Sequence, residues 1–429
     1  MIGYRSTRDP TKTSVRFEEA LLQGLAPDGG LYLPERIPQL SPALWRSASS
    51  LAEVGIGVLG AWLEGELSPE ELEPIVREAL NFPAPLVPLG EGLYVLELFH
   101  GPTLSFKDFG ARTMARLMGH FLRKRGEQRI ILAATSGDTG SAVADGFAGQ
   151  ENIQVVLLYP RGLVSEVQER QLIVQRPGVR CFAVEGTFDD CQRLVKEAFV
   201  DPRLAHLPLS SANSINIGRL LPQALYYLWA ARQLGGETLN FCVPSGNLGN
   251  LTGGVLAALM GQPVRRFIAA HNANRFFPDF LAGRREAFQF HPTLATLSNA
   301  MDVGAPSNFE RLYHLLDPKC LRAWVWGTAV DDGTTLARMR TTYEQHGYLA
   351  CPHTAVGLEA ALRYREATGD PTPIVALSTA HPSKFPDAVG RALGMEPPRH
   401  PALEALKTQP TQVEPLEPHL EALRARLLG

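Results

Sequence analysis

The chain has 429 residues, of which 45% are hydrophobic and 20% are charged, and its formal net charge is -3. This composition is typical of a folded protein with large cores, and it excludes disorder as the dominant state. The near balance of charge gives no reason to expect nucleic acid or an anionic membrane as a partner.

The cysteines and the apolar stretches predict a cytoplasmic protein. The five cysteines are odd in number, widely spaced and without a CxxC pair, so we expect them to be reduced. The N-terminus has no apolar signal segment, so we expect no export. Residues 238–264 carry no charge, but their Pro, Asn and clustered Gly predict a turn between a strand and a helix, not a membrane span.

Residues 1–80 predict a mainly helical N-terminal domain. FEEALLQGLAPDGGLYLPE contains a helix start, a turn and a short apolar run, and helical patterns follow near residues 52–64 and 69–79. The proline-rich NFPAPLVPLGEG, residues 81–92, is predicted to be a linker.

Strands and helices alternate from there, which predicts an α/β region over residues 81–396 with two parallel sheets covered by helices. The apolar runs that predict strands include RIILAAT, IQVVLLY, VRCFAV, LNFCVPS, RFIAAH, AWVWGTAV and PIVALSTA. Residues 397–429 are predicted to be a C-terminal tail that closes with the helix EPHLEALRARLL.

Lys107, in FHGPTLSFKDFG, is one of seven lysines in a chain whose 41 basic residues are otherwise arginine. Arginine cannot lose its proton, whereas a lysine amine among apolar neighbours can be neutral near pH 7 and attack a carbonyl group. The alternative is a structural lysine whose ammonium pairs with Asp108.

Three turns offer anion-binding groups. ATSGDTGSA leads from a strand into a helix, whose free amides can hold a carboxylate, and VPSGNLGN does the same for a phosphate. NSINIGRLLPQ adds polar side chains and Arg219, whose guanidinium can grip a second anion. The first and third turns are also explained by ordinary helix capping, and the second is neither a P-loop nor a dinucleotide fingerprint.

The ordered series of motifs resembles the threonine synthase family, in its longer bacterial and fungal form. The resemblance extends over YRSTRDP, LLQGLAPDGGLYLP, FHGPTLSFKDFG, ATSGDTGSA, NSINIGRLLPQ, PSGNLGN, MDVGAPSNFERL, CPHTAVG and STAHPSKFPDAV. It implies pyridoxal-phosphate fold type II, the tryptophan-synthase β-like fold, with two parallel-sheet α/β domains and the N-terminal domain.

The resemblance also implies site residues. Lys107 would be the catalytic lysine that holds pyridoxal 5'-phosphate. The other cofactor-binding residues would be Gly246, Asn247, Leu248, Gly249 and Thr379. The substrate-binding residues would be Thr103, Ser136, Gly137, Asp138, Thr139, Asn213, Ser214, Asn216 and Arg219. No metal is expected.

Two residues depart from the expected pattern. Leu248 stands where the family usually has an aromatic residue, which affects only packing if the loop binds through its backbone. Asp138 stands where related enzymes often have Asn, and because an aspartate would repel a carboxylate, we expect its side chain to point elsewhere.

The implied reaction converts O-phosphohomoserine and water into threonine and phosphate, the last step of threonine biosynthesis. The implied protein is a cytoplasmic lyase, a monomer or homodimer, that acts on a small molecule. Three alternatives stay open: a phospho-lyase that releases a keto acid, a nucleotide-binding α/β protein, and a noncatalytic regulatory relative.

Overall fold

The computed structural model describes residues 1–11 and 13–429. Its N-terminal part combines an antiparallel pair of strands with helices. In chain order these elements are β1 (Tyr4–Ser6), α1 (Phe17–Gln23), β2 (Tyr32–Pro34), α2 (Pro42–Arg46), α3 (Leu51–Trp62) and α4 (Pro69–Ala79). The start of α4 follows from its sequence, because Ser68 and Glu71 form a capping box.

The following elements alternate between strands and helices, as predicted. The first group is β3 (Leu86–Gly90), β4 (Leu93–Glu97), α5 (Lys107–Arg125), β5 (Arg129–Ala134), α6 (Asp138–Phe147), β6 (Ile153–Pro160), α7 (Glu166–Ile173), β7 (Val179–Val184), α8 (Phe188–Val200) and β8 (Leu209–Ser210). The second is α9 (Ile217–Leu220), α10 (Leu225–Gln233), β9 (Leu239–Pro244), α11 (Gly249–Leu259), β10 (Val264–His271), α12 (Phe276–Leu281), α13 (Phe309–Leu315), α14 (Pro318–Trp324), β11 (Val325–Ala329), α15 (Asp332–His346), α16 (Pro352–Thr368) and β12 (Ile374–Ser378). The last is α17 (Pro386–Leu393), α18 (Pro401–Leu406), β13 (Glu414–Leu416) and α19 (Leu420–Leu428).

These strands form two larger sheets. A six-stranded sheet has the order β11-β10-β9-β12-β4-β3, and a five-stranded sheet has the order β13-β7-β6-β5-β8. All neighbours in both sheets are parallel except β3 and β4. Parallel strands place their carboxyl ends along one edge of a sheet, where ligands of α/β proteins bind.

The predicted linker over residues 81–92 is wrong in part, because β3 lies within it and pairs antiparallel with β4. Pro88 lacks a backbone N–H and weakens the sequence signal for a strand. Proline is nevertheless tolerated in a strand at the edge of a sheet, and β3 is such a strand.

The C-terminal tail packs against the five-stranded sheet. Its predicted closing helix is α19, and β13 extends the sheet by pairing with β7, with Leu416 opposite Val184. Arg170 on α7 also donates to the carbonyl groups of Leu406, Lys407 and Gln409. The sequence did not predict β13, which is only three residues long and contains a proline.

The N-terminal part shares one hydrophobic core with the α/β region. Phe17 of α1 and Phe121 of α5 have ring centroids 6.4 Å apart, and Phe109 of α5 contacts Phe82 and Tyr226 edge-on. All five side chains belong to one continuous cluster of buried residues. Helix α5 is therefore covered on one side by the N-terminal part.

The uncharged stretch over residues 238–264 forms β9, α11 and the start of β10. Among the described residues, no helix has both the length and the apolar character needed to cross a membrane. The cysteines are all unpaired, and each is buried except Cys320.

Candidate active site

A cavity of about 730 Å³ lies at the carboxyl ends of β5, β9 and β12, between the two larger sheets. Eleven of the predicted site residues line it: Lys107, Ser136, Thr139, Asn213, Ser214, Arg219, Gly246, Asn247, Leu248, Gly249 and Thr379. The fold therefore brings together residues from all three predicted anion-binding turns and the reactive lysine.

Lys107 is the first residue of α5, and its side chain lines the cavity. Its Nζ lies 5.7 Å from the ring centroid of Phe106, and it forms no ion pair or hydrogen bond with any described residue. The carboxylate of Asp108 instead accepts hydrogen bonds from the backbone and hydroxyl of Thr103, at 2.9 and 2.6 Å. The alternative pairing of Lys107 with Asp108 is therefore wrong.

Burial lowers the pKa of Lys107 to about 8, against an ordinary value of 10.5. Asp138 opposes this shift, while the positive charges of Arg219 and Lys384 add to it. At this pKa about a tenth of the amine is neutral at pH 7, and the neutral amine is the form that attacks a carbonyl carbon.

The turn between β9 and α11 has the geometry of a phosphate cradle. Among the described residues, no acceptor binds the backbone N–H groups of Gly246, Asn247, Leu248 and Gly249. Leu248 has a positive φ of 60°, and a Cβ on Gly246 would lie only 2.9 Å from Cα of Met301. The chain thus closes tightly around the turn and leaves its amides free for an anion at a helix N-terminus.

Thr379 follows β12 and is tied to the segment that carries Lys107. Its carbonyl oxygen accepts the N–H of Phe106 at 2.8 Å, and Ser105 pairs with Ala380 in an isolated bridge. The Thr379 side chain lines the cavity. A hydroxyl group there can hydrogen-bond a pyridine nitrogen without imposing a full charge on it.

The conformation of the turn between β5 and α6 is stabilised by Thr135, the first residue of the turn. The hydroxyl oxygen of Thr135 accepts the N–H groups of Gly137 and Gly140, at 3.0 and 2.8 Å. Gly137 has φ 135°, which favours glycine. Ser136 and Thr139 line the cavity from this turn and can bind a carboxylate.

Arg219 lies on α9 with its guanidinium buried. One terminal nitrogen donates to the carbonyl of Ala212, while Nε has no partner among the described residues. Burial lowers the pKa of Arg219 to about 10, with Asp108 opposing the shift. The guanidinium therefore retains its charge at neutral pH and has unused donor capacity beside the cavity.

Asn213 and Ser214 lie beside Arg219. The Oδ1 atom of Asn213 is buried and has no partner among the described residues, and Ser214 Oγ accepts a hydrogen bond from Asn247 at 2.6 Å. The region predicted to bind the substrate phosphate thus contacts the predicted cofactor-phosphate turn directly.

Four predicted substrate-binding residues do not line the cavity, and their placement corrects that prediction. Thr103 binds Asp108, and Gly137 is turned towards Gln168. Asp138 pairs with Lys384 at 2.7 Å, and the fully buried Asn216 caps α9 through the N–H of Gly218. The side chains of Thr103, Asp138 and Asn216 thus satisfy neighbouring polar or charged groups and support the site instead of facing it.

His353 is a cavity residue for which the sequence predicted no role. It lies at the start of α16, and its Nε2 accepts the N–H of Ala300 at 3.2 Å. Burial lowers its pKa to about 4, so the ring is neutral at physiological pH. Its motif CPHTAVG was part of the resemblance, but nothing in the motif alone indicates which way the ring points.

The N-terminal part also contributes to the cavity, through Arg8, Leu25, Gly29 and Leu31. Arg8 forms an ion pair with Glu310 at 2.7 Å. This contact joins the N-terminal part to the first turn of α13.

Comparisons with known proteins agree with this geometry. A family model described as pyridoxal-phosphate dependent enzyme matches residues 79–380, and models for the N terminus and C-terminal part of threonine synthase match residues 3–80 and 354–426. Threonine synthase from Haemophilus influenzae is 41% identical over 96% of this chain and 97% of its own. The Escherichia coli threonine synthase is 45% identical over 89% of each chain.

Solved structures give the same result. The crystal structure of PLP-bound threonine synthase from Brucella melitensis aligns with a TM-score of 0.93 at 37% identity, covering 100% of this chain and 99% of that one. The Escherichia coli threonine synthase structure aligns with a TM-score of 0.91 at 40% identity, covering 99% of both chains.

The fold and the cavity thus define a pyridoxal-phosphate-dependent enzyme of fold type II. The free amine of Lys107, the open amides of the turn at 246–249 and the hydroxyl of Thr379 fit the aldehyde, phosphate and ring nitrogen of this cofactor. Within that class, the chain belongs to the threonine synthase family. The nucleotide-binding alternative is therefore wrong.

Proposed function

We propose that this protein converts O-phosphohomoserine and water into threonine and inorganic phosphate, the last step of threonine biosynthesis. The observation that carries the proposal is one cavity in which a lysine of lowered pKa lies near two separate anion-binding regions. One region suits the phosphate of the cofactor, and the other suits the phosphate of the substrate. Membership of the threonine synthase family supports the choice of reaction.

Pyridoxal phosphate, when bound, supplies an electron sink that stabilises negative charge on substrate carbon atoms. Its phosphate would be held by the backbone amides of Gly246, Asn247, Leu248 and Gly249. Thr379 would bind its ring nitrogen, and Lys107 would bind its aldehyde carbon. We assign to the Lys107 amine the further task of moving protons at substrate Cα and Cβ, because its pKa of about 8 suits both gain and loss of a proton near neutral pH.

The site has to bind the substrate at both its α-carboxylate and its phosphate. The free amides and hydroxyls of Ser136 and Thr139 would hold its α-carboxylate, and Arg219, Asn213 and Ser214 would hold its phosphate. Anchoring both ends fixes Cα and Cβ relative to Lys107, which is how binding energy is converted into orientation. The bound phosphate is then also positioned to leave from Cγ.

The N-terminal part that covers the cavity would limit the access of water to the bound substrate. Elimination of phosphate must precede addition of water at Cβ, so stray water has to be limited until then. The N-terminal part covers the cavity through Leu25 and Leu31, and Arg8 pairs with Glu310 beside it. We propose that residues 1–80, 81–396 and 397–429 act as the N-terminal domain, the catalytic region and the tail.

We also propose that the protein works in the cytoplasm as a monomer or homodimer. The unpaired state of all five cysteines supports a reducing compartment.

Simultaneous measurement of threonine and phosphate, with O-phosphohomoserine as substrate, tests the reaction. The proposal predicts the two products in equal amounts, with the threonine hydroxyl oxygen derived from labelled water. Release of phosphate together with a keto acid and ammonia would instead identify a phospho-lyase. Absence of phosphate release would contradict both reactions.

A further inference from the structure

Lys384 and Asp138 form an ion pair that is hidden from the cavity. Lys384 Nζ lies 2.7 Å from Asp138 Oδ1, and the two side chains are 0% and 3% exposed. Asp138 is the first residue of α6 and lies between the cavity-lining residues Ser136 and Thr139. The pair therefore lies directly behind the turn that we assign to the substrate carboxylate.

The pair connects this turn to the lysine-bearing helix. Lys384 also donates to the carbonyl of Thr103 at 2.9 Å, and Thr103 in turn binds Asp108 on α5. On the other side, Gln168 donates to Asp138 at 3.1 Å. One ammonium group thus joins the turn before α6 to the segment that leads into Lys107.

Charge explains why the pair matters for binding. An isolated carboxylate behind the turn would repel a second carboxylate bound in front of it, and at low dielectric this repulsion is strong. Lys384 cancels that charge, and burial without such a partner is costly for either ion. The charge-assisted contact with Lys384 and the influence of Lys107 hold the pKa of Asp138 below its ordinary value, although burial acts in the opposite direction.

We propose that Lys384 is a positioning residue that makes the Ser136–Thr139 turn able to accept a carboxylate, by neutralising Asp138 and fixing it behind the turn. The inference deepens the proposed function and rests on its assignment of this turn to the substrate carboxylate. It assigns to Lys384 no contact with substrate or cofactor. The role requires the charge balance of the pair, not the lysine itself.

A matched pair of ligands isolates the carboxylate. L-Threonine and 1-aminopropan-2-ol share the amine and hydroxyl groups, but only threonine has the carboxylate. Each is titrated into the holoenzyme, and the concentration that half-saturates the change in cofactor absorbance is measured. Wild-type protein should bind threonine much more tightly than the amine.

Three variants distinguish the effect of charge balance at Asp138 from a general loss of ligand binding. In Lys384→Met, Asp138 is left uncompensated, so threonine binding should weaken roughly tenfold or more while the amine changes little. In the double variant Lys384→Met with Asp138→Asn, both charges are absent, and threonine binding should return to within about threefold of wild type. Lys407→Met, which removes an exposed lysine paired with Glu404, should leave both ligands unaffected.

The opposite patterns overturn the inference. Equal weakening of both ligands in Lys384→Met would make Lys384 a purely structural residue. Failure of the double variant to recover, with its thermal stability equal to that of wild type, would show that charge balance is not its role. Because the titration needs no turnover, absence of threonine formation by the wild type would contradict the proposed reaction and leave this test intact.

Discussion

Phe106 donates its backbone N–H to the carbonyl oxygen of Thr379 at 2.8 Å. This hydrogen bond fixes the residue just before Lys107 to the residue that we expect at the ring nitrogen of the cofactor. Because the hydrogen bond involves only backbone atoms, it constrains the distance between the backbones of Phe106 and Thr379 independently of side-chain conformation. The lysine and the hydroxyl are thus positioned by the same contact between α5 and the end of β12.

Replacing Arg219 tests whether its guanidinium binds the phosphate of the substrate or the phosphate of the cofactor. Loss of a charge-assisted contact in Arg219→Ala should cost about 1.5 to 3 kcal/mol, or roughly tenfold to over a hundredfold in kcat/KM, with cofactor content unchanged. Arg219→Lys should recover little, because an ammonium lacks the planar pair of donors. Steady-state kinetics and the cofactor absorbance of the same preparations check both expectations.

Arg232→Ala is the matched control, since Arg232 donates to the carbonyl of Ala48 and does not line the cavity. It should retain normal kinetics. Loss of cofactor from Arg219→Ala would indicate that Arg219 binds the cofactor and not the substrate. Normal turnover in that variant would show that Arg219 has no role in the site.

Adding one methyl group to the phosphate turn should expel the cofactor. In Gly246→Ala the new Cβ would meet Cα of Met301 at 2.9 Å and the carbonyl oxygen of Ala300 at 3.0 Å, both backbone atoms that cannot move independently. We expect cofactor affinity to fall at least about tenfold with the fold retained, since the amides would lose their alignment. Equilibrium dialysis and circular dichroism measure the two properties.

Gly390→Ala serves as its control, because the nearest atom to a Cβ there is the carbonyl oxygen of Met395 at 4.0 Å. This change in α17 should leave cofactor binding intact. Full cofactor affinity in Gly246→Ala would contradict the assignment of the turn.

The pKa of Lys107 predicts how fast apoenzyme takes up the cofactor. Burial lowers this pKa to about 8, so the reactive neutral fraction rises with pH, from about a tenth at pH 7 to about nine-tenths at pH 9. The rate of covalent uptake should therefore rise roughly tenfold across this window and level off above it. Stopped-flow absorbance follows the rate, and a rate that is flat or falls between pH 7 and 9 would be inconsistent with a lowered pKa.

Removing residues 1–80 should prevent the rest of the chain from folding into a usable enzyme. The deletion would remove Phe17 of α1 from the side chain of Phe121 on α5 and so expose part of the shared core. Large exposed apolar patches favour aggregation. We expect insoluble protein on expression, whereas a soluble truncated enzyme with normal kinetics would show that the N-terminal part is dispensable.

The sequence predicted the alternation of strands and helices because buried parallel strands are continuous apolar runs between turn residues. It did not predict β3, where Pro88 obscures an edge strand, or β13, which is too short to carry a pattern. Motif spacing likewise identified the turns of the site. The partner of Asp138 was not predictable, because Lys384 is remote in sequence and meets it only through the packing of the two sheets.

Borohydride reduction of the holoenzyme, followed by peptide mapping, tests the central claim most directly. Reduction makes the attachment of the cofactor permanent, and Lys107 has a free amine in the cavity whereas Lys384 is fully buried in an ion pair. We predict the cofactor label on the peptide that contains Lys107, and no label in Lys107→Arg, whose guanidinium cannot lose its proton. Label on Lys384 or Lys124 instead, or on no lysine, would contradict the assignment of Lys107.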